Sequence, residues 1–197
     1  AQALVSYFMV IINYGFNISA TRYISINRKN KSVISNAVNS VYLIKSLLFV
    51  ATLIILILLI NIVPKLEEQK FLYLFSFGIC FNELLFPIWY FQGVERMKFI
   101  TIINLSTRLF FLISIFLFVH DQTDYLKVPI LNGIGALGGG LVSIYLVYFK
   151  DRISFIFPSK KEIIYHAKSS LPIFASGVTR LAYMSTNKIL IGSLINY

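Results

Sequence analysis

Six apolar runs, most of about 20 residues, divide this chain, and they restrict its fold more than any other feature. They cover residues 1–20, 38–62, 71–93, 99–119, 127–149 and 169–195, with short polar segments between them. A helix that crosses a bilayer needs about 20 mostly apolar residues, whereas a strand of a membrane barrel needs about 10 that alternate. The chain is 57% hydrophobic and only 13% charged, and soluble domains carry about 25% charged residues. We therefore predict an all-α, polytopic transmembrane helical bundle of about six spans.

The basic residues concentrate in alternate loops. Segments 21–37, 94–98 and 150–168 hold 11 Lys and Arg residues, whereas segments 63–70 and 120–127 hold 3. Cytoplasmic loops are enriched in Lys and Arg, so the first, third and fifth loops are predicted to be cytoplasmic. The net charge of +10 is explained by this topology, and we expect no nucleic-acid partner, since that would need a basic patch on a soluble face.

Five charged residues lie inside the apolar runs. Glu83, Arg108 and Arg180 are near the centre of their runs, and Lys45 and Lys188 are off-centre. A charge in hydrocarbon costs about 2.5–3.5 kcal/mol, so such residues usually face a bundle interior or a wet cavity. Because four of the five are basic, we expect an anionic cargo, with the four bases lining its cavity. Glu83 is expected to form an ion pair with an arginine or to relay a coupling proton.

Two runs contain residues that weaken a helix. Pro87 removes a backbone hydrogen bond and should kink the third run beside Glu83. Gly15 weakens the helix near the end of the first run, because glycine loses more conformational freedom on folding than any other residue. Both are predicted kink or gate positions. Trp89 and Tyr90 lie near the predicted cytoplasmic boundary, where such rings commonly form an aromatic belt.

Glycines in the fifth run match a dinucleotide-binding spacing, with Gly133, Gly135 and Gly138 in G-x-G-x-x-G. That function requires a preceding strand and a helix N-terminus at the motif, and here the motif lies inside an apolar run. Gly135 and Gly139 instead have the small-xxx-small spacing that lets membrane helices approach closely. We predict that they pack helices.

The sequence contains no set of residues that supports catalysis. It has no metal-ligand spacing, and its single cysteine, Cys80, is expected to be a small buried side chain. We assign no role to His120 or His166. We therefore expect a transporter that is not an enzyme and that needs neither a metal nor a cofactor.

Several segments resemble a known family. They are Tyr14–Arg22, Phe86–Met97, Asp124–Tyr125, Val128–Pro129 and Ser185–Gly192. They are similar to the O-antigen and capsule repeat-unit flippases, which are polysaccharide biosynthesis proteins of the multidrug/oligosaccharidyl-lipid/polysaccharide exporter superfamily. The resemblance runs along essentially the whole chain, and the Trp-Tyr-Phe-Gln-Gly segment is its most specific part.

The resemblance implies a larger transporter with two six-helix lobes that form a V around a central cavity. Residues 1–149 would be spans two to six of the first lobe, 150–168 a cytoplasmic interlobe linker, and 169–197 the truncated first span of the second lobe. Within the linker, Pro158 or Ser159 is expected to begin a short helix at the membrane interface. The chain would then be an internal fragment of a longer protein.

The implied activity is the translocation of undecaprenyl-pyrophosphate-linked oligosaccharides across the bacterial inner membrane. Arg108, Arg180 and Lys188 are the candidates to meet the pyrophosphate. The implied partners are this lipid-linked cargo, the bilayer, and the polysaccharide polymerase with its chain-length machinery. The alternatives are a multidrug exporter, which the basic excess disfavours, and a membrane-embedded sugar polymerase or glycosyltransferase, which would favour larger outer loops.

Overall fold

Each apolar run folds into helix, but two runs are broken into shorter helices. The structure, a computed structural model, describes the backbone of residues 1–195 and the side chains of residues 1–121 and 124–180. Its α-helices are α1 Gln2–Asn13, α2 Phe16–Ile26, α3 Lys31–Ile62, α4 Pro64–Glu67, α5 Lys70–Phe77, α6 Cys80–Leu85, α7 Ile88–Gly93, α8 Met97–Phe118, α9 Lys127–Tyr145 and α10 Lys160–Ile195. A 3₁₀-helix, Gln122–Leu126, precedes α9, and a π-helical turn, Leu146–Lys150, follows it.

Five segments of the described chain are long and apolar enough to cross a bilayer. They are Gln2–Ile26, Lys31–Ile62, Lys70–Gly93, Met97–Phe118 and Asp124–Lys150. The predicted polytopic helical bundle is therefore confirmed, and the protein is a multi-pass membrane protein. The sixth predicted run lies in α10, and its side chains after residue 180 lie outside the described part of the chain.

The short interfacial helix predicted near Ser159 is not a separate element. Its start is where the sequence places it, because the hydroxyl of Ser159 accepts a hydrogen bond from the backbone N–H of Glu162 at 3.3 Å. It does not end before the next run, however. α10 continues through Pro172 without interruption, so the second half of the linker and the sixth run form one continuous helix.

The buried residues form two apolar clusters, one toward each end of the bundle. The first includes Phe16, Val38, Val41, Trp89 and Val147. The second consists of Val5, Phe8, Ile12, Phe49, Leu56, Ile60, Phe77 and Cys80. Each of the first three runs contributes to both clusters, and in each run a polar residue lies between the two contributions. These residues are Asn13, Lys45 and Glu83.

Much of the outer surface is apolar. On α8 only Ile103 and Ser114 are buried, and the exposed residues include Leu105, Leu109 and Phe116. A helix with this composition is stable with its outward face in hydrocarbon rather than in water.

Candidate substrate-binding region

The first run is interrupted at Tyr14 and Gly15. Both residues have left-handed backbones, with φ of 49° at Tyr14 and 80° at Gly15, a conformation that glycine adopts readily and other residues rarely. The space around Gly15 is also tight, since a Cβ there would lie 2.8 Å from Cγ2 of Ile173 on α10. The break turns the chain between α1 and α2 and allows α10 to pack directly against the backbone.

The third run is interrupted at Pro87, and this break frees backbone carbonyls. In an unbroken helix the carbonyl of Glu83 would accept the N–H of residue 87, but proline has no N–H. Instead, Nζ of Lys45 donates a hydrogen bond to the Glu83 carbonyl at 2.7 Å. The hydroxyl of Tyr42, one turn earlier on α3, donates to the carbonyl of Leu85 at 3.3 Å. Polar residues of α3 therefore satisfy the groups that the proline leaves unpaired.

Glu83, Lys45 and Asn13 form a polar cluster between the two apolar clusters; we call it the Glu83 cluster. The amide of Asn13 donates to Oε2 of Glu83 at 2.9 Å, and Nζ of Lys45 lies 3.8 Å from the same oxygen. The side chain of Lys45 is 1% exposed and that of Glu83 is 17% exposed. Lys45, predicted to line the cargo cavity, is thus buried against Glu83, while one side of the carboxylate remains open.

Arg180 lines a cavity of about 220 Å³ at the Gly15 break. Asn13, Gly15 and Asn17 contribute from the first run, and Phe174 contributes from α10. The ring of Phe174 stacks on that of Tyr14 with centroids 4.9 Å apart. Asn13 therefore belongs both to this cavity and to the Glu83 cluster.

Arg108 lines a second cavity of about 220 Å³, between α6, α8 and α9. Its polar lining consists of the arginine, Thr107 and three asparagine side chains, Asn82, Asn104 and Asn132. No carboxylate is among its lining residues, and Arg108 makes no ion pair with any residue that the structure describes. The guanidinium offers donors to an anion, and the asparagine amides around it offer both donors and acceptors to sugar hydroxyls.

The structure thus brings some predicted residues together and separates others. Glu83 meets Lys45 rather than an arginine. Arg108 and Arg180 line different cavities. The Arg108 cavity adjoins the Glu83 cluster because Asn82, in its lining, directly precedes Glu83 in the sequence. The Arg180 cavity adjoins it because Asn13, in its lining, donates a hydrogen bond to Glu83. Lys188 lies outside the described side chains.

The glycines of α9 lie where other helices approach closely. A Cβ on Gly139 would lie 2.5 Å from Cγ2 of Thr107 on α8, and one on Gly135 would lie 3.4 Å from a ring carbon of Phe110. Gly133 faces Gly78, at the break between α5 and α6. This close packing places Asn104 and Asn132 on either side of the Arg108 cavity.

The aromatic residues after Pro87 are in the core rather than in an aromatic belt. Trp89 is fully buried and Tyr90 is 2% exposed. The hydroxyl of Tyr90 donates to Asp151 at 2.9 Å, and Arg96 pairs with the other oxygen of that carboxylate. The prediction of a belt was wrong because α7 lies between α2 and α8, where its rings fill the first apolar cluster.

Sequence reasoning missed the asparagines and Asp151. Asn82, Asn104 and Asn132 interrupt apolar runs in the same way as the charged residues, so the cost of burying an unpaired amide could have identified them. Asp151 is the only acid between residues 150 and 161, and a lone acid among bases is a signal for an ion pair. Among the residues that the structure describes, no three His, Cys, Asp or Glu side chains come together as a metal site.

Comparison with known proteins identifies relatives. The family described as "Polysaccharide biosynthesis protein" matches residues 1–197. A protein of Shigella dysenteriae named "Putative O-antigen transporter" is 30% identical over 194 residues, covering 96% of this chain and 48% of the relative. A protein of Escherichia coli K12 with the same name is 25% identical over 186 residues, covering 90% of this chain and 45% of the relative. The chain therefore spans about half the length of these curated relatives. No solved structure matches it.

Proposed function

Since this chain belongs to the polysaccharide biosynthesis protein family, we propose that it is part of a flippase for lipid-linked oligosaccharide repeat units. The cargo is an undecaprenyl-pyrophosphate-linked oligosaccharide, and the membrane is the bacterial inner membrane. The names of the two O-antigen transporter relatives support this proposal at the level of the family. The protein acts as a transporter and not as an enzyme, and it hands its cargo to a polysaccharide polymerase and chain-length machinery.

In the full protein, residues 1–149 are part of the first lobe, 150–168 are the cytoplasmic linker, and 169–197 begin the second lobe. The distribution of loop bases supports this orientation. Cysteines introduced at Ser32 and Ser159 should react with a membrane-impermeant thiol reagent only after the cells are opened. A cysteine at Gln69 should react in intact cells. The reverse pattern would reject the orientation.

The Arg108 cavity carries the proposal, because it combines three amides with a guanidinium that has no ion pair among the described side chains. A charged group in this position is expensive unless it meets a counter-charge or water. An anionic pyrophosphate provides the counter-charge, and arginine matches phosphate oxygens with paired hydrogen bonds. Arg180 provides a second cation at the Gly15 break, where a hinge between α1 and α2 acts as a gate.

The Glu83 cluster argues against a multidrug exporter for cationic compounds. Such a cargo needs a free carboxylate in the membrane, but Oε2 of Glu83 is already bonded by Asn13 and faces the Lys45 ammonium. A proton-coupling role for Glu83 would require this ion pair to open during transport. The Glu83→Gln variant of the full-length protein tests that role: normal transport across pH would exclude it.

Complementation tests the cargo. Arg108→Ala and Arg180→Ala in the full-length protein should abolish surface polysaccharide in a strain that lacks its own flippase, with the protein level unchanged. Arg108→Lys should restore less polysaccharide than the parent, since lysine lacks the paired donors. Lys65→Gln, which removes an exposed charge from the short helix α4, is the matched control and should export normally. If both alanine variants export normally, the proposed anionic cargo is wrong.

A further inference from the structure

The segment between α9 and α10 exposes aromatic rings at the point where a membrane span ends. Phe155 is 75% exposed and Phe157 is 83% exposed, and their ring centroids are 5.9 Å apart. The preceding span ends at Lys150, so the rings follow it within seven residues. We call residues 154–158 the aromatic strip.

The backbone that carries the strip is held firmly in place. The N–H of Ser154 donates to the hydroxyl of Ser35 at 3.2 Å, and its carbonyl accepts from the amide of Asn39 at 2.9 Å. The oxygen of that amide accepts from the hydroxyl of Tyr148 at 2.9 Å. Ile153, just before the strip, is buried in the first apolar cluster. The strip is therefore anchored at its start, and its two phenylalanines are outside the core.

Exposed cations lie on both sides of the strip. Arg152 precedes it, and Lys160 and Lys161 follow it. The only acid between residues 150 and 161 is Asp151, and its carboxylate is already bonded to Arg96 and Tyr90. Arg152, Lys160 and Lys161 form no ion pair with any side chain that the structure describes. The positive charge around the rings is thus available to an external anion.

We propose that the aromatic strip and its flanking cations form a docking surface for anionic phospholipids. Exposed phenylalanine rings beside Lys and Arg bury at the boundary between headgroups and acyl chains, and the basic residues attract anionic lipid. The rings provide apolar contact with the acyl-chain boundary, and the cations select phosphate headgroups that carry a net negative charge. Because the strip begins the connection to α10, a bound lipid holds that connection at the membrane surface. This inference does not depend on the identity of the transported cargo.

Quenching by brominated lipids tests the surface. A Phe157→Trp variant of the full-length protein in nanodiscs should show more quenching than the parent protein. At equal mole fraction, brominated phosphatidylglycerol should quench this extra fluorescence several-fold more than brominated phosphatidylcholine. Equal quenching by the two lipids would overturn the preference for anionic lipid. No quenching beyond that of the parent would overturn the contact with the bilayer.

Charge removal tests the cations separately. Arg152→Gln, Lys160→Gln and Lys161→Gln together, in the Phe157→Trp background, should abolish the preference for phosphatidylglycerol. Lys65→Gln and Lys70→Gln, in α4 and at the start of α5, are the matched control and should leave it intact. If the triple variant fails to fold, salt replaces it: about 1 M salt shortens the Debye length to about 3 Å and should abolish the preference. A preference that survives charge removal or high salt would reject the electrostatic part of the proposal.

Discussion

Lys45 donates a 2.7 Å hydrogen bond to the backbone carbonyl of Glu83, the acceptor that Pro87 leaves without its helical partner. The break in the third run and the buried lysine of the second run are therefore one structural feature. The ammonium satisfies the free carbonyl and also faces the carboxylate of the same residue at 3.8 Å. Lysine, rather than an uncharged donor, meets both needs at once.

Lys45→Met should destabilise the protein by about 3 kcal/mol, since it leaves a buried carbonyl and a mostly buried carboxylate without their cation. The free energy of unfolding in detergent micelles measures the loss. The loss should be smaller in a Pro87→Ala background, because an N–H at position 87 offers the carbonyl another partner. Equal losses in the two backgrounds would show that the carbonyl is not what holds Lys45.

Gly139→Ala should weaken the packing of α9 on α8, because its Cβ would lie 2.5 Å from Cγ2 of Thr107. Overpacking of this kind costs about 1–3 kcal/mol. Thr107→Ser removes that methyl group and keeps a hydroxyl for the hydrogen bond to Asn104, so it should restore much of the lost stability in the double variant. Failure of this rescue would place the strain elsewhere. Thermal unfolding of the single and double variants provides the comparison.

Gly15→Ala should cost about 1–2 kcal/mol for the left-handed backbone alone, and more because of the approach of Ile173. We expect α10 to detach from the break, which limited proteolysis within residues 150–168 would report. Gly138→Ala is the control: beyond the neighbouring backbone of its own helix, no described atom lies within 4 Å of its Cβ position, so this helical alanine should be neutral or slightly stabilising. Similar losses from the two substitutions would argue against a special role for the break.

His166 should make stability depend on pH. The side chain is 2% exposed, and its ring packs edge-on against that of Tyr23, with the ring centroids 4.7 Å apart. Burial lowers its pKa from the usual 6.5 to about 4. In the unfolded chain His166 therefore binds a proton below about pH 6.5, whereas in the folded chain it binds one only below about pH 4. Stability should fall as the pH drops through this window and then level off.

His166→Gln isolates this effect from other titrating groups. The Gln variant should lose less stability than the parent between pH 6.5 and pH 4, as measured by thermal unfolding at each pH. The carboxylate of Glu162 lies 3.8 Å from Nε2 of His166 and could hold a proton on the ring. Parallel curves for the parent and the variant would show that this ion pair offsets the cost of burial.

The sequence predicted the spans well because hydrocarbon imposes a length and a composition that each run displays separately. The cost of a charge in hydrocarbon also identified Glu83 and Lys45 as unusual. The sequence did not show that the two residues meet, because their contact depends on where Pro87 breaks the third run. The prediction of an aromatic belt was wrong for a related reason. Hydropathy places Trp89 at a depth in the membrane, but only the packing of α7 between α2 and α8 decides whether it faces lipid or core.

The polar cluster also has a consequence for biogenesis. Lys45 precedes Glu83 by 38 residues, so the ribosome delivers the ammonium well before either of its acceptors. An isolated second span would carry an unpartnered cation in hydrocarbon. Its release into the bilayer should therefore wait for the third span, and the two should leave the insertion machinery together.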